Sequence, residues 1–267
     1  MPCSIIIGEV KEIEEYGSRG GGIVTLTNGE VIHWDVLVLA PGSRWEGPIA
    51  VPATHKEAKM WFARWQMKFR RARDVLLVGG GAVACEFAGE IKDLDPDKKV
   101  TIVHSHERLL NKTYPNKFRN DVQQRLLSRG VTLILGDVVP ETALTSKRVV
   151  TRNGITLTPD LIVPCRGPHP NTGLLISAFG HKVLTPSGHV RILRTFQLPE
   201  HRHIFACGDI ADLKEQRQIE KYPHHATVVA KNVLSLLNGE PALEIYKGRH
   251  EIILLSLGKA RIRSNSL

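Results

Sequence analysis

The chain has 267 residues, 42% of them hydrophobic and 24% charged, enough for one large domain or two intertwined ones with an ample core. No apolar run approaches the about 18 residues a membrane-spanning helix needs, and MPCSIIIGEV at the N-terminus lacks the features of a signal peptide, with Pro2 excluding N-myristoylation. The net charge of +9 is spread along the chain, with modest concentrations at Arg70–Arg73 and Lys259–Arg263 and no aromatic-interleaved basic groove, so a nucleic-acid partner is not expected. Anionic membrane surfaces or phosphorylated cofactors suit the same charge. The cysteines (Cys3, Cys85, Cys165, Cys207) are scattered and make no C-x-x-C pair, which suits a reducing, cytoplasmic setting and argues against a zinc ribbon or a vicinal redox disulfide.

Taken in order, Ser4–Glu15 reads as a strand, and Ile23–Thr27 and Glu30–Trp34 as two more joined across Asn28-Gly29, a two-residue hairpin signal. Asp35–Ala40 is a buried strand that stops at Pro41-Gly42-Ser43. This meander has no packing partner within its own stretch. Pro48 and Pro52 mark a linker. From His55 to Ala72, the residues Ala58, Trp61, Phe62, Trp65 and Phe69 recur at three- and four-residue spacings, predicting a helix with an aromatic face toward the core.

Asp74 to Glu90, DVLLVGGGAVACEFAGE, carries the most specific pattern in the chain. Val75–Val78 is a short apolar run of the kind a buried parallel strand needs. Gly79, Gly81 and Ala84 complete a G-x-G-x-x-G/A spacing, with Gly80 between the first two. Gly79 would allow a tight turn out of the strand, Gly81 a close approach of a pyrophosphate, and Ala84 close packing of the following helix on the sheet. That helix, from Ala82 to about residue 92, would offer its free amides and positive end to phosphate. A second apolar strand, Val100–Val103, closes the β-α-β unit.

Beyond it the pattern predicts a helix over Asn116–Arg129 stopped by Gly130, a strand over Val131–Leu135 and a hairpin around Asn153-Gly154. A buried strand over Asp160–Cys165 ends at Arg166-Gly167. Strands are expected around Val190–Leu193 and over Ile204–Ala206, the latter ending in Gly208-Asp209. A helix over Tyr222–Leu237 stops at Asn238-Gly239. After the apolar run Ile252–Leu257, the closing RIRSNSL is expected to lack structure. Strands thus end in glycine turns at Gly42, Gly79, Gly167 and Gly208, and ligands of open α/β sheets bind at such ends. Several ends of this kind point to two adjoining nucleotide sites.

On these motifs the sequence resembles the two-dinucleotide-binding-domain flavoproteins, the pyridine nucleotide-disulfide oxidoreductase family, and within it the apoptosis-inducing-factor-like branch of the mitochondrion-associated inducer of death type. DVLVLAPGS resembles the strand and turn that line the flavin, with Pro41 in place of a threonine. VGGGAVACEFAGEIKDLDPDKKVTIVHSHERLL is similar to the NAD(P)H segment over its whole length. CRGPHPNT resembles the turn that re-enters the flavin domain, and FACGDIAD the second flavin motif. The resemblance implies an α/β fold with a Rossmann-type NAD(P) domain inserted in an incomplete FAD-binding domain. It divides the chain into a partial FAD-binding part (1–47), the NAD(P)H domain (48–165), a second FAD-binding part (166–245) and a shortened C-terminal segment (246–267).

By the same resemblance FAD and NAD(P)H are the cofactors. Asp209 would hold the ribityl chain beside Gly208, with Val10 near the adenine, Ala40 and Gly42 lining the flavin, and Gly167 on the re-entry turn. Glu86 would be the catalytic acid at the nicotinamide; the alternative for it is a solvated first-turn acid that complements the helix dipole. Hydride would pass from nicotinamide to FAD N5 and electrons onward to a quinone-like acceptor. Peripheral membrane association is compatible with this, at a mitochondrial or lipid-droplet surface if the protein is not freely cytoplasmic. The family's upstream G-x-G-x-x-G segment has no counterpart here, so an N-terminal truncation is expected, and an inactive NAD(P)-binding module is the alternative reading.

Nucleotide choice rests on the residue about 20 positions past the fingerprint, where an acid selects the NAD ribose. Here that residue is His104, followed by Ser105, His106 and, nearby, Arg108, which permits NADPH without excluding NADH. The pairs His201/His203 and His224/His225 lack the spacing and acids of a zinc site, so no metal is expected. No G-x-S-x-G elbow supports a hydrolase.

Overall fold

The computed structural model describes residues 3–17 and 20–265. From the N-terminus, β1 (Val10–Glu15), β2 (Gly22–Leu26) and β3 (Val31–Trp34) make an antiparallel meander, followed by β4 (Leu37–Leu39) and β5 (Ser43–Arg44). Then come α1 (His55–Arg71), β6 (Asp74–Val78), α2 (Ala82–Leu94), β7 (Lys99–His104), α3 (Asn116–Ser128) and β8 (Val131–Leu135). Short strands β9 (Val149–Val150) and β10 (Thr156–Leu157) pair with each other ahead of β11 (Leu161–Pro164), β12 (His169–Pro170) and α4 (Gly173–Phe179). The chain closes with β13 (Gln197–Leu198), β14 (His201–Ala206), α5 (Tyr222–Leu237), β15 (Ile252–Leu257) and β16 (Ala260–Asn265). No helix among the described residues is long and apolar enough to cross a membrane.

The chain divides into two compact units. One holds residues 1–44 and 169–249, the other 45–168 and 250–267. In the second unit a four-stranded parallel sheet runs in the order β11-β6-β7-β8, with β6 bonded on both edges. Its central position explains the unbroken apolar run: Val75, Leu76 and Leu77 are at most 1% exposed because both faces of the sheet are covered. One face packs on α1 and α2 through Trp65, Ala84, Cys85, Ala88 and Ile91, and the other holds Leu76, Val78, Val103, Val139 and Val149. On α1, Trp61, Trp65 and Phe69 form an aromatic ladder that continues to Phe87 of α2. Phe62, expected on the same face, is 52% exposed, since it lies on the flank of that ladder.

The C-terminal stretch departs from expectation. Residues 260–265 form β16, paired antiparallel along the whole of β15, and the hairpin packs on α2 so tightly that a Cβ at Gly89 would meet Gly258 N at 2.6 Å. Leu255 and Leu257 are fully buried there. The partner strand supplies the hydrogen bonds that the sequence RIRSN gives no sign of by itself.

In the first unit β4 lies parallel to β14, and β13 closes the other edge of β14. The meander does have a packing partner: Ile13, Val24 and Leu26 share a core with Leu175 of α4 and with Val183, Leu198, Ile204 and Ile210. That partner comes from more than 130 residues further along the chain, beyond the reach of local pattern. The first strand is shorter than expected, because residues 3–9 carry no strand and Ile5 and Ile7 are more than 90% exposed. Around Val190–Leu193 there is no strand either, only isolated bridges of Val190 to Leu184 and Ala211.

Candidate functional site

Each unit presents the carboxyl ends of two neighbouring parallel strands. In the second unit these are β6 and β11, which end at Gly79 and Gly167; in the first they are β4 and β14, which end at Gly42 and Gly208.

At β6 the chain leaves the sheet through Gly79, whose N–H still bonds Val103 O at 2.8 Å. Gly79 has φ +112, and a Cβ there would be driven into the Cys165 carbonyl, so only glycine fits. Both polar backbone groups of Gly80 are taken: its N–H donates to His104 Nδ1 at 3.0 Å and its carbonyl accepts Leu110 N at 2.7 Å. Gly81 is different. It caps α2 in an ordinary extended conformation (φ −76), and a Cβ there would meet nothing within 4 Å. Neither packing among the described residues nor backbone conformation requires glycine at 81. No side chain caps α2 and no acid sits in its first turn, so the free amides from Ala82 onward carry the partial positive charge of the helix end. Ala84 is fully buried against the sheet, as its small size allows. These features fit a pyrophosphate.

Glu86 lies one turn further along α2. Its carboxylate accepts the Ser256 N–H of β15 at 3.1 Å, and the neighbouring Glu90 takes the Ser256 hydroxyl at 3.4 Å. Glu86 is therefore not a freely solvated complement to the helix dipole. Beside the helix start, Trp45, Glu46, Ile49, Val83, Cys165 and Arg166 line a shallow recess. Arg166 holds Glu46 with its Nη2 at 2.7 Å and also pairs with Glu141, and the two carboxylates raise its pKa further. Gly167, next in the chain, has φ +93 and belongs to this unit.

His104 ends β7, and 104–110 is the turn that faces the loop. Burial, reinforced by the charges of His106 and Arg119, pushes the His104 pKa down to about 4, so the ring is neutral near pH 7 and its Nδ1 is an acceptor. Sequence reasoning offered His104 as a loop residue or a phosphate ligand; instead it faces back onto the loop. It missed Arg119 altogether. This buried guanidinium donates to the carbonyls of Leu109 (2.8 Å), Arg108 (3.1 Å) and Leu110 (3.2 Å), fixing a turn in which Leu110 adopts φ +61. An arginine inside an amphipathic helix gives no signal of this from sequence. Arg108 is exposed on the same turn.

In the first unit, Gly42 and Gly208 both have positive φ and both face open space where a Cβ would be. The Gly42 carbonyl accepts Asn171 N at 2.9 Å, and the Asn171 side chain accepts Arg44 Nε at 2.7 Å, so this asparagine ties the turn after β4 to the segment after β12. Ala40 is exposed just before that turn. Gly208 N donates to His225 Nδ1 at 3.3 Å, while His225 Nε2 meets Glu215 Oε1 at 3.0 Å. The bond accepted at Nδ1 fixes the tautomer: Nε2 carries the proton and donates it to the carboxylate. Burial lowers the His225 pKa, in keeping with a neutral ring. Tyr246 donates to the same Glu215 at 3.0 Å. The Asp209 carboxylate accepts the Tyr222 hydroxyl, and its backbone carbonyl accepts Arg217 Nε at 3.0 Å. No side chain caps α5 and its first turn holds no acid, but a 3-10 turn over Ile219–Lys221 runs into it and takes the Tyr222 N–H at Ile219 O. An acceptor carboxylate and two open glycines fit a flavin's hydroxyl-bearing chain. Val10 starts β1 on the separate meander sheet, 38% exposed and paired with Leu26.

The family model for pyridine nucleotide-disulphide oxidoreductases matches residues 6–231. The chain is 44% identical over 257 residues to an FAD-dependent oxidoreductase of Flammulina velutipes, covering 96% of this chain and 79% of the relative. It is 30% identical over 246 residues to the human ferroptosis suppressor protein 1, covering 89% of this chain and 65% of the relative. Among solved structures, a water-forming NADH oxidase from Lactobacillus brevis bound to NADH superposes with a TM-score of 0.70 at 22% identity, over 97% of this chain and 58% of the oxidase. The chain thus spans about two thirds of the human relative's length and less of the bacterial oxidase's. By its sequence match and its fold, the chain belongs to the pyridine nucleotide-disulphide oxidoreductase family.

Proposed function

We propose that the chain provides the nicotinamide-dinucleotide seat and part of the flavin seat of an NAD(P)H-dependent FAD oxidoreductase whose electron acceptor is a quinone-like molecule. The observation that carries this is Gly81: a glycine with no steric need within the chain, at an uncapped, acid-free helix end. A pyrophosphate would take the free amides there, while Gly80, already bonded on both sides, keeps the loop rigid. Bound flavin would supply the chemistry of hydride acceptance and onward electron transfer. Asp209 would accept hydrogen bonds from its hydroxyls, with Gly42 and Gly208 giving room for close approach. Glu86, oriented by the Ser256 amide, would position the nicotinamide or the acceptor and hold a proton.

A small-molecule acceptor is favoured over a disulfide. Cys85 and Cys165 are buried, and burial pushes both thiols up to about 12, too high for exchange chemistry at neutral pH. The test is reconstitution of the purified protein with FAD, followed by anaerobic NADPH or NADH and then a soluble benzoquinone. The reading expects flavin absorbance near about 450 nm to bleach with the nucleotide and return with the quinone. A protein that takes up FAD but is not reduced by either nucleotide would overturn it.

A further inference from the structure

Behind the Gly208–Asp209 turn lies a buried polar group drawn from three separate stretches of the first unit. His225 of α5 is 2% exposed and sits among the rings of Phe196 (4.9 Å), Tyr246 (4.7 Å) and Tyr222 (5.6 Å). Its Nδ1 accepts the Gly208 N–H at 3.3 Å, and its Nε2 donates to Glu215 Oε1 at 3.0 Å. The other Glu215 oxygen accepts the Tyr246 hydroxyl at 3.0 Å. A cage of rings would pack as well around an apolar side chain, and a buried imidazole–carboxylate pair gives up its hydration. What an apolar side chain cannot do is accept the Gly208 amide.

That bond needs a particular ring. Glu215 keeps the single proton on Nε2 and leaves Nδ1 as the acceptor; a second proton would set N–H against the Gly208 N–H. Glu215 favours that second proton, while burial, Lys221 and His224 oppose it, and the net effect lowers the His225 pKa. Tyr222 and Tyr246 add their hydroxyls, bonded to Asp209 and Glu215 respectively. Arg217 faces the turn itself, donating to the Asp209 carbonyl at 3.0 Å. The ring state of His225 thus bears on the residue that precedes the Asp209 carboxylate.

We propose that Glu215, His225 and Tyr246 form a latch that holds the Gly208–Asp209 turn in its flavin-accepting conformation, with His225 as the positioning residue, and that a second proton on the ring opens it, so that flavin is held at neutral pH and released in acid. This rests on the flavin reading of Asp209 and adds the regulation of that seat.

The test separates the two ring nitrogens. His225→Asn keeps an acceptor near the Nδ1 position and cannot take a second proton, whereas His225→Gln keeps a donor toward Glu215 and loses that acceptor. FAD binding is read by isothermal titration at about pH 7.5 and about pH 5, either side of an ordinary histidine pKa. At the higher pH the asparagine variant should match the unaltered protein and the glutamine variant should bind about tenfold more weakly, the scale of one hydrogen bond. At the lower pH the unaltered protein should lose about tenfold relative to His225→Asn. The comparison with His225→Asn is needed because His189, near Asp209, Asp212 and Arg217, also has a lowered pKa. In the flavin-free unaltered protein, the NMR shifts of the Gly208 amide and the His225 ring should titrate together. Full affinity in His225→Gln, parallel pH curves for the unaltered and asparagine proteins, or a Gly208 amide indifferent to His225 overturns the latch alone. If the unaltered protein takes up no FAD at either pH, the flavin reading falls and the latch with it.

Discussion

The Glu86 carboxylate accepts the Ser256 amide across a sequence separation of 170 residues, at 3.1 Å, and so ties the helix after the phosphate loop to the C-terminal hairpin. That bond separates two roles for one side chain. Glu86→Gln keeps an oxygen for Ser256 and removes the charge. It should leave the thermal midpoint unchanged and, if the carboxylate acts at the nicotinamide, lower kcat roughly tenfold or more. Glu86→Leu removes the acceptor as well and should destabilise the protein by about 1–2 kcal/mol in urea unfolding. A glutamine variant with full turnover would confine Glu86 to anchoring the hairpin.

Arg119 is the support of the 104–110 turn. Arg119→Met leaves three carbonyls without their donor while Leu110 remains in a left-handed conformation that costs about 1–2 kcal/mol for such a residue. The expected loss of stability is about 3 kcal/mol, measured by urea denaturation. A loss under about 0.5 kcal/mol, the range of ordinary surface changes, would mean the turn holds itself.

Stability should fall in acid through His104. Its folded pKa of about 4 lies below the ordinary 6.5, so between these values the unfolded chain binds more protons than the folded one. The contribution is therefore complete above pH 6.5 and is lost as pH falls toward 4, on the order of 2 kcal/mol. Burial lowers His225 and His189 in the same direction, so the readout is the difference between the unaltered protein and His104→Asn across that window. Parallel stability curves for the two would contradict the buried neutral ring.

Thiol reactivity should follow exposure. Cys3 is exposed, whereas Cys85 and Cys165 are buried with pKa values pushed up to about 12. Alkylation of the native protein by N-ethylmaleimide, followed by peptide mass spectrometry, should label Cys3 first and leave Cys85 and Cys165 unmodified, with NADPH oxidation retained. Early labelling of Cys85 or Cys165 would reopen a thiol-based mechanism.

The dinucleotide unit was legible because its signals are local. Val75–Val78 is apolar on both faces, as the centre of a parallel sheet demands, and the glycine spacing follows it directly. What escaped the sequence depends on distant partners. β16 exists because β15 pairs with it, and the meander is covered by residues 175–210. The seven-residue α4 is too short for a periodic pattern to stand out. At the site, the position of His104 was readable by counting, but the orientation that gives Nδ1 to Gly80 was not. Asn171 was visible only as part of a turn motif, and its bonds to Gly42 and Arg44 needed the fold.

The most direct measurement is NADPH binding by isothermal titration to the unaltered protein and to Gly81→Val. A Cβ at 81 meets no described atom within 4 Å, and the backbone conformation is open to any residue, so the fold should be kept, with at most the small fall in thermal midpoint that a valine N-cap brings. Affinity should drop at least about a hundredfold, roughly 3 kcal/mol, because the side chain stands where the pyrophosphate must lie. A correctly folded Gly81→Val that binds NADPH as tightly as the unaltered protein would show that the loop at residues 79–84 is not the seat.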